Sequence, residues 1–410
     1  MSTKVHILRL DLPGHWADGW LYKEHLILWS DAGQMFVCPV SRLVESVEKQ
    51  VDHEIAVIAD FLLFRTDWKQ SPQFKRLMSL NGAEESFLAG FNGALDGIVV
   101  QVDDAKLEPI PADHISGFML DSGIYNNCVY VGTTDGLFET RFDPNDPVAG
   151  KPVVQRLQKR VSALTARYSV VNTSADDDGL WFSRMNFDEG AWFREAAAPK
   201  RVADYSRGNS FAERDLLNYT DDPFPGFMRS AGEKEQGHVD RDSDRWRITG
   251  YDVPSDIGGV MKSALGLDRV TTFLDRNPDD DLRPVAVLGN SDKKLLVASG
   301  ESLRVVNLTV SRGRRGIQAK ASDSFPRLSD PAIDPTDILS TRPVDDGFLV
   351  VLPDEVRLIN SHGSFLAISE QVAHVRTFAH SRRYPGVALM IREDHVSLLG
   401  TYVTTGSDDQ

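Results

Sequence analysis

The hydrophobic pattern of this chain repeats one local event. A run of four to seven β-favouring residues ends in a short turn of Gly, Asp, Asn or Glu, and a second such run follows. The clearest copy is CVYVG-TTDG-LFETRF, residues 128–142, in which Val129, Val131, Leu137 and Glu139 stand in alternating positions. Alternation places side chains on opposite faces of a sheet. Asp135-Gly136 is expected to supply the positive φ of a tight turn. The pattern predicts a β-hairpin.

Six further segments show the same event. They are residues 25–40, 87–102, 168–185, 294–310, 348–360 and 387–403. The seven turn centres fall near residues 32, 95, 135, 178, 301, 354 and 394, so three of the six intervals are 40 to 43 residues long. Such spacing is typical of β-propeller blades. A lone four-stranded blade exposes two faces and two edges, and it becomes stable when it stacks on neighbours in a ring.

The predicted fold is therefore all-β, a single β-propeller of about seven four-stranded blades over residues 1–410. Seven blades of about 45 residues use about 315 residues. The rest matches the large gap between the hairpins near 178 and 301, which predicts one mostly irregular or helical insertion at about 195–275. Within it, SFAERDLLNY, residues 210–219, has a Ser cap and helical spacing. The lone strand of residues 4–12 is expected to pair into the last blade and close the ring; an edge strand of a sandwich is the alternative.

The unit of residues 128–142 resembles a blade of the propeller sensor domains of bacterial two-component regulators. In those blades an aliphatic and aromatic strand ends in Gly-Thr, Asp-Gly follows, and a second aromatic strand comes next. The other six hairpins match that pattern loosely. The resemblance implies the architecture of most of the chain. It implies no activity, and no functional residue of that family carries over.

Charge and composition limit the classes of partner. The chain has 45 basic and 60 acidic residues, a net charge of −15, and this field repels phosphate backbones. Nucleic acid is therefore not an expected partner, and a protein partner is. Two cysteines, the absence of a signal-like amino terminus and the absence of an apolar run of about 20 residues favour a soluble, cytoplasmic protein that does not enter a membrane. The pattern leaves the oligomeric state open.

The sequence motifs indicate no catalytic residue, no metal site and no cofactor. The metalloprotease, nucleophile-elbow, phosphate-loop and dinucleotide motifs are missing. Cys38 and Cys128 are interpreted as buried strand thiols. Asp240-x-Asp242-x-Asp244 lacks the glycine and glutamate of a calcium loop. A basic group could meet an acidic partner or a phosphate, or lie in a solvated loop. Its members are His374, Arg376, His380, Arg382 and Arg383.

The predicted function is a non-catalytic interaction module or adaptor, in a bacterial regulatory or defence assembly, that binds a protein through rim loops and the 195–275 insertion. Loops on rigid scaffolds often carry recognition, and Trp, Tyr and Arg dominate interface energetics. The candidate partner-binding residues are Tyr205, Tyr219, Phe224, Phe227, Arg229 and Trp246. They could instead form a small core that pins the insertion. The alternative function is a propeller hydrolase or lyase whose Asp, Glu and His side chains converge at the central channel.

Overall fold

The computed structural model describes most of the chain. The described residues are 3–80, 82–92, 98–99, 101, 105–110, 115–167, 170–184, 198–212, 215–221, 226–230, 248–249, 286–291, 294–299, 302–313, 316–321, 333–345, 347–360 and 363–405. These residues form strands and one group of helices. The strands are β1 (Thr3–Pro13), β2 (Trp16–Tyr22), β3 (His25–Ser30), β4 (Met35–Pro39), β5 (Ile98–Val99), β6 (Glu108–Ile110), β7 (Met119–Tyr125), β8 (Cys128–Thr133), β9 (Leu137–Arg141), β10 (Val154–Leu157), β11 (Ala163–Arg167), β12 (Val170–Ser174), β13 (Leu180–Arg184), β14 (Lys200–Ala203), β15 (Gly208–Ala212), β16 (Asp215–Tyr219), β17 (Gly226–Ser230), β18 (Ile248–Thr249), β19 (Ala286–Asn290), β20 (Lys294–Ser299), β21 (Ser302–Gly313), β22 (Gly316–Ala321), β23 (Ser340–Val344), β24 (Gly347–Val351), β25 (Val356–Asn360), β26 (Gly363–Ile368), β27 (His374–Thr377), β28 (Val387–Ile391) and β29 (His395–Thr405).

The described strands make seven sheets that follow one another along the chain. Sheet 1 is β2-β3-β4-β6, sheet 2 is β7 to β10, sheet 3 is β11 to β14, sheet 4 is β15 to β18, sheet 5 is β19 to β22, sheet 6 is β23 to β26, and sheet 7 is β27-β28-β29-β1-β5. A succession of four-stranded antiparallel sheets is the arrangement of a β-propeller.

Five of these sheets are continuous blades, fewer than the predicted number of about seven. Sheets 4 and 5 each divide at the third strand, which changes partner along its length. In sheet 4, β17 pairs with β16 through Met228 and then with β18 through Arg229. In sheet 5, β21 pairs with β20 up to Asn307 and with β22 from Leu308 onwards. In each of these two sheets, the first part of the third strand pairs with the second strand, and its last part pairs with the fourth strand. The second and fourth strands therefore do not flank the same residues of the third strand, and each sheet consists of two separate ladders.

Six of the seven predicted hairpins are confirmed. They are β3–β4, β8–β9, β12–β13, β20–β21, β24–β25 and β28–β29. The predicted pairing of the two ends of the chain is confirmed as well. β1 runs antiparallel to β29 over its whole length, from Thr3 opposite Thr405 to Pro13 opposite His395. Sheet 7 is therefore built from both ends of the sequence.

The turn of the clearest hairpin is held differently from the prediction. Neither Asp135 nor Gly136 has a positive φ. The Thr133 hydroxyl oxygen accepts hydrogen bonds from the N–H groups of both residues, at 3.0 and 3.1 Å. Glycine is needed for another reason, since a Cβ atom on Gly136 would lie 2.2 Å from the carbonyl oxygen of Leu157. Glycine is therefore required at position 136 because β10 approaches closely, and not because the backbone adopts a positive φ.

The predicted hairpin of residues 87–102 is wrong. Phe87 to Asn92 belong to a helix, and Ile98 and Val99 form a short strand parallel to β1. This helix ends a group that lies between β4 and β6 of sheet 1. We call the whole group, residues 40–92, the helical insertion. It comprises α1 (Val40–Glu48), α2 (His53–Ala59), a π-helical turn (Asp60–Phe64), a 3₁₀ turn (Thr66–Gln70), α3 (Pro72–Met78) and α4 (Ala83–Asn92). The long interval of 63 residues between the first two predicted turn centres, 32 and 95, therefore contains helices and not an additional blade.

The predicted helix at residues 210–219 is also wrong. β15 and β16 pair antiparallel there, with Phe211 opposite Leu216 and Gly208 opposite Tyr219. Of the residues that suggested a helical face, Phe211 and Leu216 share one face of this hairpin, and Tyr219 lies on the other. Of the predicted 195–275 insertion, residues 200–203, 208–212, 215–219, 226–230 and 248–249 are strands. Most of its remainder, including the Asp240 to Asp244 segment, lies outside the described residues.

The described chain divides into two compact units. Unit 1 comprises Met1–Asp113, Phe142–Pro152 and Leu328–Gln410, and unit 2 comprises His114–Arg141 and Val153–Arg327. Unit 1 contains sheets 1, 6 and 7 with the helical insertion. Its largest core joins Leu8 and Leu10 of β1 to Leu62 and Leu63 of the insertion. Unit 2 contains sheets 2 to 5, and its cores lie between successive sheets.

Candidate partner-binding surface

The helical insertion is fixed to sheet 7 by aromatic packing. The Phe87 ring packs edge-on against Tyr402 of β29 and against Phe74 of α3, with ring centroids 5.1 and 5.8 Å apart. Leu62 lies directly over Gly400, where a Cβ atom would approach the Leu62 carbonyl oxygen to 2.5 Å. Because sheets are rigid supports, this packing holds the insertion in one position relative to β29.

Hydrogen bonds fix the same contact around Thr66. Its hydroxyl donates to the carbonyl oxygen of Arg383 at 3.2 Å and accepts from the N–H of Gly386 at 3.1 Å. The Arg383 side chain donates to the carbonyl oxygen of Phe64 at 3.2 Å and also contacts Glu24. Arg383 belongs to the basic group that the sequence offered as an acidic-partner or phosphate site. Its contacts are instead made within the chain, and they attach the insertion to sheet 7.

The outer face of the helical insertion carries large apolar side chains in contact with solvent. Trp68 is 42% exposed, Leu77 is 49% exposed and Leu80 is 58% exposed. Trp68 packs edge-on against Phe61 with a centroid distance of 5.1 Å, so one side of its ring is supported and the other is open. Leu77 lies in the last turn of α3, and Leu80 follows Ser79, the residue that caps its C-terminus.

Two exposed cations lie between Trp68 and Leu77 in the sequence. Ser71 caps α3 by accepting a hydrogen bond from the N–H of Phe74 at 3.0 Å, and Pro72 begins the helix. With Phe74 turned inward, Lys75 and Arg76 are exposed beside Leu77. We call the exposed side chains of this segment, Trp68, Lys75, Arg76, Leu77 and Leu80, the α3 surface. It combines apolar and cationic groups on a rigidly attached element, which is the composition of a protein-binding surface.

Four of the six residues predicted to bind a partner are described, and they lie in or beside sheet 4. Tyr205 lies between β14 and β15, and the Arg207 side chain donates to its hydroxyl at 3.0 Å. Tyr219 ends β16, and its hydroxyl donates to the Asn290 side chain. Burial raises the pKa of Tyr219 to about 12. Phe227 and Arg229 lie on β17, and Phe224 and Trp246 lie outside the described residues.

Tyr205 and Tyr219 are brought close to each other. The side-chain amide of Asn218 donates to the Tyr205 carbonyl oxygen at 3.0 Å, and the N–H of Arg207 donates to the Tyr219 carbonyl oxygen at 2.9 Å. Hydrogen bonds within sheet 4 therefore connect both tyrosines.

The helical insertion was not predicted from the sequence. The run of Phe87, Leu88 and Phe91 after Glu84 and Glu85 was a usable signal, since acidic residues favour a first helical turn.

Acid–base residues meet at one point between the first strands of sheets 1 and 7. Asp18 of β2 is buried and accepts a hydrogen bond from the N–H of Gly19 at 2.8 Å. It also accepts hydrogen bonds from two guanidinium nitrogens, Nε and Nη2, of Arg376 of β27. His374 Nε2 lies 3.7 Å from Asp18 Oδ1. The Arg376 guanidinium also stacks over Trp20 at 5.0 Å.

This arrangement favours a structural role for Asp18. Carboxylate and imidazole are ligand types for divalent metals, but Arg376 engages both oxygens of Asp18 as a bidentate pair. A buried carboxylate that is paired in this way supplies no free base. Asp18 and Arg376 therefore tie two sheets together, and they account for a second member of the predicted basic group.

Both cysteines are buried free thiols, as predicted. The Cys38 thiol donates to the Ala105 carbonyl oxygen at 2.9 Å. Burial raises the pKa of Cys38 to about 12 and that of Cys128 to about 11. Since the thiolate is the reactive form, these thiols are inert at neutral pH.

Comparisons with known proteins give likeness in architecture. No protein-family model matches the chain, and no curated protein does. Solved structures with similar arrangements include the computationally designed protein Ika8, at 10% identity and a TM-score of 0.43 over 96% of this chain and 99% of that one. The N-terminal domain of Nup159 has 11% identity and a TM-score of 0.41 over 97% and 96%. The WD40 β-propeller domain of Doa1 has 9% identity and a TM-score of 0.40 over 96% and 93%.

At these TM-scores the fold assignment rests on the sheets of the chain itself. The resemblance to two-component sensor propellers stays a prediction, because no family match supports it. Among the described residues, the helices are too short or too polar to cross a membrane.

Proposed function

We propose that this chain is a non-catalytic β-propeller interaction module that binds a protein partner. The observation that carries the proposal is the α3 surface, where Trp68, Leu77 and Leu80 expose large apolar side chains on an element fixed to sheet 7. Solvent-exposed apolar groups gathered on one face mark binding surfaces more often than chance.

The rigidity of the attachment supports this assignment. Ordering a loose segment on binding costs free energy, and a surface held in position by packing avoids that cost. Phe74 is buried against Phe87, and Phe87 against Tyr402, so α3 is held from beneath while its outer residues stay open. A partner that covers Trp68 therefore meets a preformed surface.

The residues chosen from the sequence form a second proposed contact. They are Tyr205, Tyr219, Phe224, Phe227, Arg229 and Trp246, of which Tyr219, Phe227 and Arg229 lie on strands of sheet 4. The exposed Arg207 and Asp221 form an ion pair at 2.9 Å beside Tyr205, which gives this region a polar rim. Membership of a regulatory or defence assembly and closure of the sheets into a ring belong to the same proposal. The alternative of a hydrolase or lyase stays a prediction.

Affinity capture tests the α3 surface. The tagged full chain is used to capture proteins from lysate of its native organism, and the bound proteins are identified by mass spectrometry. The variant W68A/L77S/L80S is expected to lose the captured partner at least about tenfold, because truncating each interface anchor typically costs about 1–4 kcal/mol. Circular dichroism checks that the variant is folded.

The matched control is Leu339→Ser, which changes an apolar side chain that is 63% exposed and lies outside the insertion. This control is expected to keep the partner. If the triple variant folds and captures the same protein as fully as the unaltered chain does, the α3 surface is not the binding site. If the alteration Y205A/R229A alone abolishes capture, the second proposed contact carries the function.

A further inference from the structure

We infer that the α3 surface binds an acidic, apolar segment of the partner protein. This inference rests on the proposed function and adds the chemistry of the partner. It is carried by the charge of the surface, which is opposite in sign to the charge of the whole chain.

The apolar side chains of the α3 surface determine which apolar side chains a partner segment must offer. Trp68, Leu77 and Leu80 lie within 13 residues of sequence and are each more than 40% exposed. Trp68 is supported by Phe61, which in turn packs against Phe74 at 6.0 Å. A partner segment must therefore offer aliphatic or aromatic side chains that cover the open side of the indole and the two leucines.

The charged side chains of the α3 surface determine the charge that a partner segment must carry. Residues 68–80 contain Lys69, Lys75 and Arg76 and no acidic residue, whereas the chain as a whole carries a net charge of −15. Lys69 contacts the Thr401 carbonyl oxygen and helps to hold the insertion. Lys75 and Arg76 are exposed and directly precede the exposed Leu77. Carboxylates of a partner would pair with them at the edge of the apolar contact.

Neighbouring charges define the limits of this basic area. On one side, the exposed Asp67 directly precedes Trp68, and the Arg65 side chain pairs with Asp60 at 3.0 Å. On the other side, Glu84 and Glu85 begin α4, and Glu84 accepts a hydrogen bond from the Tyr402 hydroxyl at 3.2 Å. The area suits a short acidic segment that lies along α3 and ends before α4.

Polyanionic partners of other kinds fit this surface less well. Nucleic-acid binding depends on neutralising many phosphates, and the exposed cations here are Lys75 and Arg76 on a chain of net charge −15. An acidic segment with apolar residues uses both features of the surface together, and the overall negative field selects against segments that offer charge alone.

Selection from a phage-displayed library of random 16-residue peptides tests the inference. The full chain is immobilised, and phage that bind the W68A/L77S variant are removed beforehand. We expect the enriched peptides to combine Asp or Glu with Leu, Phe or Trp. Synthetic copies, measured by fluorescence anisotropy, are expected to bind at least tenfold more weakly to K75E/R76E and to weaken as salt rises.

The matched control is K49E/R382E, which makes the same change in net charge at two exposed basic residues outside the α3 surface. It is expected to bind the selected peptides within twofold of the unaltered chain. Enrichment of neutral or basic peptides overturns the inference, as does equal binding of acidic peptides to K75E/R76E and the unaltered chain.

Two further measurements separate other occupants. Vesicles of equal phosphatidylcholine and phosphatidylglycerol that bind the chain through Trp68 and Leu77, with no peptide enrichment, would identify a membrane surface and overturn the inference. Dimerisation that W68A/L77S abolishes, measured by light scattering, would identify a second copy and overturn it too. A lysate partner that is lost with W68A/L77S/L80S and retained with K75E/R76E would leave the proposed function standing while this inference fails.

Discussion

Two sheet junctions, one in each unit, differ in their share of polar side chains, although each contains an apolar cluster. Between sheets 6 and 7 of unit 1, the buried side chains are apolar, with Leu358 of β25 packed in the same cluster as Met390 of β28 and Leu399 of β29. Between sheets 3 and 4 of unit 2, the first two strands contribute polar side chains. Ser174 accepts from the Asn209 side chain at 2.8 Å and from the Ser206 hydroxyl at 2.7 Å.

The polar junction continues through unit 2. The Thr165 hydroxyl donates to the Asn209 carbonyl oxygen at 2.9 Å, and the Asn290 side chain donates to the Phe211 carbonyl oxygen at 3.0 Å. Between sheets 2 and 3, the Asp121 carboxylate accepts from the N–H of Leu164 at 2.7 Å. Each contact is directional and fixes one sheet in register with the next.

This difference separates two ways of stacking blades. Apolar burial stabilises in proportion to the area removed from water but does not specify one alignment. Buried hydrogen bonds specify alignment and add little net free energy, about 0.5–1.5 kcal/mol each. The junction of sheets 6 and 7 should therefore owe more of its stability to side-chain volume, and the junction of sheets 3 and 4 more of its geometry to hydrogen bonds.

The largest effect is expected from Leu358→Ala in unit 1. Leu358 is fully buried in the core between sheets 6 and 7. Its truncation leaves a cavity and should lower the free energy of unfolding by about 2–5 kcal/mol. Guanidinium unfolding followed by circular dichroism measures the change. The control is Leu366→Ala on β26, which is 47% exposed and should cost under about 0.5 kcal/mol. Equal losses in the two variants would show that this core is not closely packed.

The sequence was sufficient to predict hairpins and insufficient to predict what lies between them. A hairpin such as β8–β9 is encoded within 15 residues, because both strands and the turn are adjacent. The end-to-end pairing of β1 with β29 was also predictable, since an unpaired strand began the chain and a blade lacked its outer strand. Both predictions depend on local pattern or on counting strands.

The helical insertion and the divided sheets depend on contacts that the pattern does not contain. The run FLAGFN is short enough to fit a strand or a helix, and its packing of Phe87 on Tyr402, 315 residues away, decides for the helix. The hairpin β15–β16 was misread for the converse reason, because Phe211 and Leu216 also fit a helical face. The α3 surface was not predicted since its exposure depends on which side of α3 packs inward.

The two units can also be compared by their stability at alkaline pH, because each contains a tyrosine with a raised pKa. Burial, together with the nearby Glu84 carboxylate, raises the pKa of Tyr402 to about 12. Burial likewise raises the pKa of Tyr219 to about 12, against about 10 in an unfolded chain. Below pH 10 both states keep the proton and the contribution to stability is complete. Between about pH 10 and 12 the unfolded state loses its proton first, so stability falls.

The expected result is that Tyr402→Phe and Tyr219→Phe each make this alkaline decline less steep. The variant Glu84→Gln should lower the pKa of Tyr402 and leave the titration of Tyr219 unchanged, because Glu84 acts on Tyr402 alone of the two. Difference absorbance of tyrosinate between each variant and the unaltered chain assigns the titration. An unchanged titration of Tyr402 in Glu84→Gln would show that burial alone sets its pKa.

The smallest effect is expected from Asn172→Ala in the polar junction of unit 2. Asn172 is 1% exposed, and within the described part of the chain neither its side-chain nitrogen nor its side-chain oxygen makes a hydrogen bond. Removing an amide that is buried without partners relieves its desolvation penalty, which offsets the packing that is lost. The free energy of unfolding should therefore change by under about 1 kcal/mol, in guanidinium unfolding under the conditions used for Leu358→Ala.

The matched variant is Ser174→Ala, two residues along the same strand. It removes the acceptor of Asn209 and of Ser206 and leaves their buried donors without that partner, so it should cost about 1–3 kcal/mol. The contrast between the two positions distinguishes polar groups that align sheets 3 and 4 from polar groups that are merely enclosed between them. If Asn172→Ala cost as much as Ser174→Ala, Asn172 would belong to the aligning set, and the polar junction would extend one step further along β12 than its hydrogen bonds indicate.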